Sequence, residues 1–245
     1  MKKKPSDTLY AEPREAITEF VFDASVVRVF NDMIGRSVPG YSTILAMLPV
    51  LVRQYVQANS RCYDLGCSLG AATLAMRHSI NQPGVEITAV DSSPAMIEQC
   101  ERYLAEDHAR LPVSTLCADI REIDIRDASL VVMNFTLQFV APEQRLSLLQ
   151  AINAGMKPGG ALLVSEKIQF ADADQQQWMT DLHHAFKKAN GYSELEISQK
   201  RSALENVLIP ETVDIHQQRF IDAGFERVSQ WFQCFNFVSF LAVKA

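Results

Sequence analysis

The chain has 245 residues, 48% hydrophobic and 21% charged, the balance of a folded globular protein with enough apolar material for one sizeable α/β domain. Its net charge of −6 argues against a broad nucleic-acid surface, because phosphate contacts require a concentrated basic patch. Five cysteines, Cys62, Cys67, Cys100, Cys117 and Cys234, form an odd set without C-x-x-C spacing, which speaks against a disulfide frame or a zinc site and fits a reducing compartment.

Residues 1–18 are polar and contain Pro5 and Pro13, and they read as a loosely held arm. The basic start lacks the apolar core of a secretory signal, and no run approaches the roughly 20 apolar residues of a membrane span, so a cytoplasmic protein is expected. Phe22-Asp23-Ala24-Ser25 is a helix start, followed by an apolar face of Val26, Val27, Val29, Phe30, Met33 and Ile34. Arg36-Ser37-Val38-Pro39-Gly40-Tyr41 interrupts it, and Pro-Gly sets Tyr41 at a sharp bend before a second helix, Thr43 to about Gln57. Tyr41 is either a core aromatic joining the two helices or a lid over a bound cation or its carboxylate. Residues 1–57 thus make an arm and cap helices ahead of the main fold.

The organising stretch is Arg61-Cys62-Tyr63-Asp64-Leu65-Gly66-Cys67-Ser68-Leu69-Gly70, followed by the helix formers Ala71 to Arg77. It reads as strand, tight glycine loop, helix, with the helix aiming unpaired N–H groups at a ligand on the carboxyl edge of a sheet. Gly66-x-Ser68-x-Gly70 is a poor match to a pyrophosphate fingerprint. Moreover, acids recur at successive strand ends: Asp64, then Asp91 after 86–90, then Asp119 after 113–118. Carboxylates beside a phosphate repel it, whereas they suit a cation. S-adenosyl-L-methionine carries an ammonium, a sulfonium and a ribose diol but no phosphate, and an acid about 20 residues beyond the glycine loop is placed for the ribose hydroxyls. Asp91 stands at that distance, and Asp119 in Ala118-Asp119-Ile120 is a candidate for the adenine amino group. Cys67 reads as a small residue beside the ligand rather than a nucleophile. No metal is expected, since His78, His108, His183, His184 and His216 show no ligand spacing.

Strand and helix then alternate: strand 86–91, helix 94–107, strands 113–118 and 129–135, helix 142–153, strand 161–166. Such alternation predicts a parallel sheet with helices on both faces. Leu130 to Phe135 is nearly all apolar, so Asn134 at its end either satisfies a loop backbone or presents its oxygen to the ligand. Lys157-Pro158-Gly159-Gly160 reads as the connection into strand 161–166. Over 172–219 the alternation stops, and three helices are expected: 175–189, 193–206 with Ser193-x-x-Glu196 as capping box, and 212–223. This insertion suits a lid or an oligomer contact. Lys187-Lys188 reads as surface, and Lys200-Arg201 as a solvated pair unless Arg201 grips a carboxylate bidentately. Phe225–Phe232 and Phe235–Val243 are expected to close the sheet as an antiparallel pair at one edge.

Asp64 to Thr73, Asp91 to Glu98, Asn134 to Phe139, Asn190 to Arg201 and Arg36-Ser37-Val38-Pro39-Gly40-Tyr41 together resemble the carboxy-S-adenosyl-L-methionine synthase family, from Phe22 to the end of the chain. The resemblance implies a single Rossmann-like class I methyltransferase fold over residues 1–245, mostly parallel and seven-stranded with an antiparallel C-terminal strand. It implies conversion of S-adenosyl-L-methionine and prephenate to carboxy-S-adenosyl-L-methionine and phenylpyruvate. The product is the donor for a tRNA wobble-uridine carboxymethyltransferase. By position it implies Tyr41, Gly66, Cys67, Ser68, Asp91, Ser92, Asp119, Ile120, Asn134 and Arg201 as ligand contacts, with Arg201 stabilising the new carboxylate. Ser92 departs from the Asn of the family pattern, and its hydroxyl or backbone can serve instead. The family is homodimeric, which offers Arg201 a route in from a partner subunit. A small-molecule methyltransferase or a non-catalytic S-adenosyl-L-methionine-binding subunit would share the nucleoside features but not the carboxylate grip.

Overall fold

Alternating side-chain direction along the strands sets the layers. In the computed structural model, which describes residues 6–13 and 18–245, Leu130 and Val132 of β4 (Ala128–Asn134) pack with Leu48 and Val52 of α2 (Tyr41–Tyr55) and Met76 of α3 (Ala71–Arg77). Val131 and Met133 point the opposite way, towards Leu148, Leu149 and Ile152 of α5 (Pro142–Gly155) and Phe220 of α8 (Val213–Asp222). A strand buried on both faces must be apolar throughout, as this one is, and helices must cover each side of the sheet.

The sheet has seven strands in the order β3-β2-β1-β4-β5-β7-β6. Here β1 is Arg61–Leu65, β2 Glu86–Asp91, β3 Val113–Cys117, β5 Met156–Lys167, β6 Arg227–Cys234 and β7 Phe237–Val243. Strands β1 to β5 are parallel, so their carboxyl ends share one edge, and the order reverses between β1 and β4. Such a switch point opens a crevice beyond the strand ends. The expected closing pair is present, with β7 inserted between β5 and β6 and antiparallel to both. The remaining helices are α1 (Ala24–Ser37), α4 (Pro94–Glu106), α6 (Ala173–Ala189) and α7 (Glu194–Leu204). None of the helices, among the described residues, is long and apolar enough to cross a membrane.

Local chemistry explains most boundaries. Asp23 caps α1 by accepting from the backbone N–H groups of Ser25 and Val26, and Ser193 with Glu196 completes the capping box of α7. Two of the boundaries that differ from expectation have a local cause. Helix α1 continues through Arg36 to Ser37, because Arg36 bonds the Asp32 carboxylate one turn back and the break comes only at Val38. Strand β5 begins at Met156, so Lys157 to Gly160 belong to the strand as an irregular stretch whose register with β4 shifts between Ala128 and Leu130.

The expected arm falls partly outside the described residues, at 1–5 and 14–17. Residues 6–13, by contrast, are pinned. The buried Asp7 donates its backbone N–H to Asp32 at 2.7 Å, and its carboxylate accepts from the Tyr192 hydroxyl at 2.5 Å. Phe20 N–H bonds the Ala203 carbonyl at 2.9 Å, and the Ser93 hydroxyl bonds the Phe22 carbonyl at 2.6 Å. A buried carboxylate is tolerated only when donors surround it, and this anchorage holds α1, with Tyr10 and Phe20, over the carboxyl edge of the sheet.

Candidate active site

Beyond that edge lies a cavity of about 480 Å³, a size usual for small-molecule sites. Its floor is the glycine loop after β1. Gly66 has φ +83° and Gly70 φ +82°, left-handed values that side-chain-bearing residues rarely adopt. A Cβ on Gly66 would also stand 2.3 Å from Thr136 Oγ1, so the loop can pass the segment just after β4 only without a side chain there. The N–H groups of Gly66 and Cys67 both donate to the Val90 carbonyl, and Ser68 N–H donates to Asp91 Oδ2 at 2.9 Å.

Three carboxylates stand along the β1, β2 and β3 side. Asp64 is buried and accepts from the Thr73 hydroxyl at 2.5 Å, and its burial pushes its carboxyl up to about 6. Asp91 takes backbone N–H groups from Ser68 and Ser93, each at 2.9 Å, yet burial still raises it above the ordinary carboxylate range. Asp119 is held low by the Arg121 guanidinium, which in turn donates to Gln144. At the tip of β4, Asn134 Oδ1 is buried with no hydrogen-bond partner among the described residues. An unsatisfied buried acceptor costs about 1–3 kcal/mol, which a donor on a ligand would recover.

Tyr41 opens α2 and faces Phe135 with ring centroids 6.3 Å apart, and Phe135 meets Phe237 edge-on at 5.9 Å. Tyr41 thus packs on a core aromatic and also lines the cavity. Burial and the nearby Asp64 charge raise its hydroxyl. Phe135 itself has φ +63°, a strained conformation for a bulky residue, held by its N–H bond to the Ser165 carbonyl at 2.8 Å.

The opposite side, near β5 and α6, is basic. Lys167 ends β5, and His183 and Lys187 occupy neighbouring turns of α6 on one face. His183 Nε2 donates to the Ser37 carbonyl at 2.8 Å, and burial lowers the ring to about 2, so it is neutral. Burial, with Lys200 and Lys167 nearby, lowers Lys187 to about 7. The expectation that Lys187 and Lys188 are both surface is corrected here. Lys188 is exposed and paired with Glu194 at 2.6 Å, but Lys187 turns inward, because positions four apart share the buried face with His183. Lys200 likewise is not solvated. It is buried, bonds Ser37 Oγ at 3.1 Å, lies 3.6 Å from Asp7, and is lowered to about 8 chiefly by burial.

Of the residues proposed from sequence, Tyr41, Gly66, Cys67, Ser68, Asp91, Ser92, Asp119, Ile120 and Asn134 all line this cavity. Arg201 does not: it is exposed on α7, and its charge is felt at Lys167 and His184. Sequence reasoning missed Lys167, His183 and Lys187. Lys167 carried a usable signal, since it follows an apolar strand as the three acids do, and His183 with Lys187 had the one-turn spacing. Among the described residues no group of three or more His, Cys, Asp or Glu could hold a metal ion.

A glycine loop after β1, acids at the ends of β1 to β3 and one antiparallel strand, β7, define the class I S-adenosyl-L-methionine-dependent methyltransferase fold. The chain superposes on a putative O-methyltransferase from Nostoc punctiforme with TM-score 0.63 at 16% identity, over 90% of this chain and 59% of that one. Human N-acetylserotonin methyltransferase, solved in complex with SAM, gives 0.60 at 17% identity over 91% and 55%. Residues 63–160 match the family described as "Methyltransferase domain". A carboxy-S-adenosyl-L-methionine synthase of Trichlorobacter lovleyi is 58% identical over 98% of this chain and 99% of that protein, and one of Pseudomonas aeruginosa is 56% identical over 97% and 98%. The chain belongs to the carboxy-S-adenosyl-L-methionine synthase family.

Proposed function

We propose that the protein transfers a carboxyl group from prephenate to the sulfonium methyl of S-adenosyl-L-methionine, forming carboxy-S-adenosyl-L-methionine and phenylpyruvate. The observation that carries this reading is the division of charge along one cavity, in a chain whose family bears that product's name: carboxylates on the β1–β3 side, lysines on the β5 side. Cation and anion then meet between the two, near Asn134.

The nucleoside end fits the acids. Asp91 suits the ribose hydroxyls, with Ser92 beside it, and Asp119 with Ile120 suits the adenine. Gly66 to Ser68, the unsatisfied Asn134 Oδ1 and Tyr41 suit the amino-acid end. A sulfonium acidifies its methyl group. Prephenate loses its ring carboxyl as carbon dioxide and its hydroxyl as the acceptor of the methyl proton, so the ring becomes aromatic and water is the third product. The methyl carbon bonds to carbon dioxide. The protein's own work is to juxtapose the two molecules and keep bulk water out.

Arg201 is exposed and outside the cavity of the single chain. The reading gives it to the site of a second copy, with the helices of 172–219 as lid and dimer contact. A cytoplasmic setting and supply of the product to a tRNA wobble-uridine carboxymethyltransferase belong to the same reading, since an activated carboxymethyl group suits transfer to a nucleophilic oxygen.

Incubation with S-adenosyl-L-methionine and prephenate, read by mass spectrometry, should yield a species heavier than the starting sulfonium by one carboxyl group. Appearance of S-adenosylhomocysteine with a methylated acceptor would instead make the protein a methyltransferase. Recovery of both compounds unchanged by folded protein would leave only a binder. Arg201→Ala should slow formation of the product, and a wild-type rate would remove the role given to Arg201.

A further inference from the structure

Lys167 and Lys187 are the two cavity cations that nothing in the fold accounts for. The other buried or nearby bases have duties: Lys200 is held by Ser37 and Asp7, Lys188 by Glu194, and Arg121 by Asp119. Among the described residues, neither the Lys167 nor the Lys187 ammonium has a hydrogen-bond or ion-pair partner, although the Lys167 backbone N–H is bonded to Gln138 Oε1 at 2.9 Å. The groups that bear on them electrostatically are His183, which is neutral, His184, whose own charging they oppose, and the cations Lys200 and Arg201. Each lysine also opposes the charge of its neighbour. Burying like charges side by side without an anion destabilises a fold, and sequences remove such pairs unless a ligand supplies the counter-charge.

Their position selects the ligand. Parallel strands are about 4.8 Å apart, so the end of β5 lies roughly 10 Å from that of β1 and roughly 14 Å from that of β2. Lys167 at the end of β5 is therefore on the far side of Asn134 from the ribose acid, Asp91. Lys187 reaches the same cavity from α6. The two approach from separate elements, one from the sheet and one from a helix, as two anionic groups on one rigid molecule would require. Phe135 and Phe237 supply apolar surface on the same side of the cavity.

We propose that Lys167 and Lys187 form the recognition site for a cyclic dicarboxylate, the second substrate, each ammonium taking one carboxylate. This rests on the reading of that substrate as prephenate. It makes the pair binding and specificity residues, separate from the acids that hold the nucleoside.

The test uses the full chain loaded with S-adenosyl-L-methionine and a stable aromatic dicarboxylate, 4-carboxyphenylacetate, titrated by calorimetry beside its monomethyl esters. Lys167→Met and Lys187→Met should each weaken the dicarboxylate at least tenfold, leave the affinity for S-adenosyl-L-methionine within about twofold, and raise Tm. In turnover, KM for prephenate should rise in both variants. The higher Tm separates a lost ligand contact from a damaged fold, and Lys187→Arg should keep part of the affinity. Unchanged dicarboxylate binding in both methionine variants, or loss confined to S-adenosyl-L-methionine, would overturn the assignment. If the wild type binds the dicarboxylate through these lysines but forms no carboxylated product from prephenate, the site stands and the reading of the reaction falls.

Discussion

The Ser68 backbone N–H and the Asp91 carboxylate are 2.9 Å apart, so the glycine loop after β1 is tied to the tip of β2 by the same side chain proposed for the ribose. Ligand grip and loop shape thus share one group. Asp91→Ala removes the carboxylate and leaves two backbone donors, those of Ser68 and Ser93, without their acceptor. Affinity for S-adenosyl-L-methionine should fall by about 10- to 100-fold, about 1.4–2.7 kcal/mol, measured by calorimetry. Asp91→Asn should lose less, since the amide oxygen can still accept one N–H.

Gly66→Ala meets two penalties at once. A left-handed conformation costs a side-chain-bearing residue about 1–2 kcal/mol, and the new methyl collides with Thr136 Oγ1 at 2.3 Å and Cγ2 at 2.4 Å. The variant should show a lower Tm and no measurable ligand binding. Adding Thr136→Gly should restore part of the Tm but not all, because the backbone penalty remains.

Asp64 should couple ligand affinity to pH. Burial raises its carboxyl from 3.8 to about 6 in the folded chain, so the folded state binds this proton more tightly than the unfolded one. Its contribution to stability is complete below about pH 4 and is lost as pH rises through about 6, a change of about 3 kcal/mol. A cation needs the ionised form, so affinity for S-adenosyl-L-methionine should decline as pH drops below about 6, with proton release on binding. Calorimetry in buffers of different ionisation enthalpy measures that release. Asp64→Asn should abolish it and stabilise the empty protein at neutral pH.

Arg145 is fully buried and donates to the carbonyls of Val140, Gln138 and Ile209 and to the Glu211 carboxylate. Gln138 and Val140 line the cavity, so this guanidinium braces its wall from behind. Arg145→Ala leaves Glu211 bonded to Arg219 alone among these two cations and takes a donor from three carbonyls, of which that of Gln138 keeps the Ile209 N–H, and should cost about 3–5 kcal/mol in denaturant unfolding. Ligand affinity should fall with it, although Arg145 is not itself a cavity residue.

The legible part of the site is the part that local order encodes. A loop after a strand needs glycine where φ is positive, and a ligand-facing acid must stand at the carboxyl end of its strand. Asp64, Asp91, Asp119 and Asn134 could therefore be placed by reading strand ends alone. Cap chemistry is equally local, which is why Asp23 and Ser193 marked their helices correctly. The run Lys157-Pro158-Gly159-Gly160 misled, because Pro and Gly signal a turn unless a neighbouring segment supplies pairing, as Lys244 just past β7 does here for Gly159 and Gly160.

The basic side of the cavity depended on long-range packing. Lys187 and Lys188 are adjacent in sequence and differ by about 100° around the α6 axis. Which of them faces the cavity was settled by the docking of α6 against Ser37 and Phe237, through His183. Lys200 is buried because residues far along the chain, Asp7 and Ser37, close around it. By itself the amino-acid order determined the strand–loop–helix unit, the acids beyond the strands and the cationic ligand they suit, since each follows from neighbours a few residues apart. Only the tertiary structure decided where β7 inserts and which lysines turn inward, because those outcomes come from contacts between segments that local propensity does not relate.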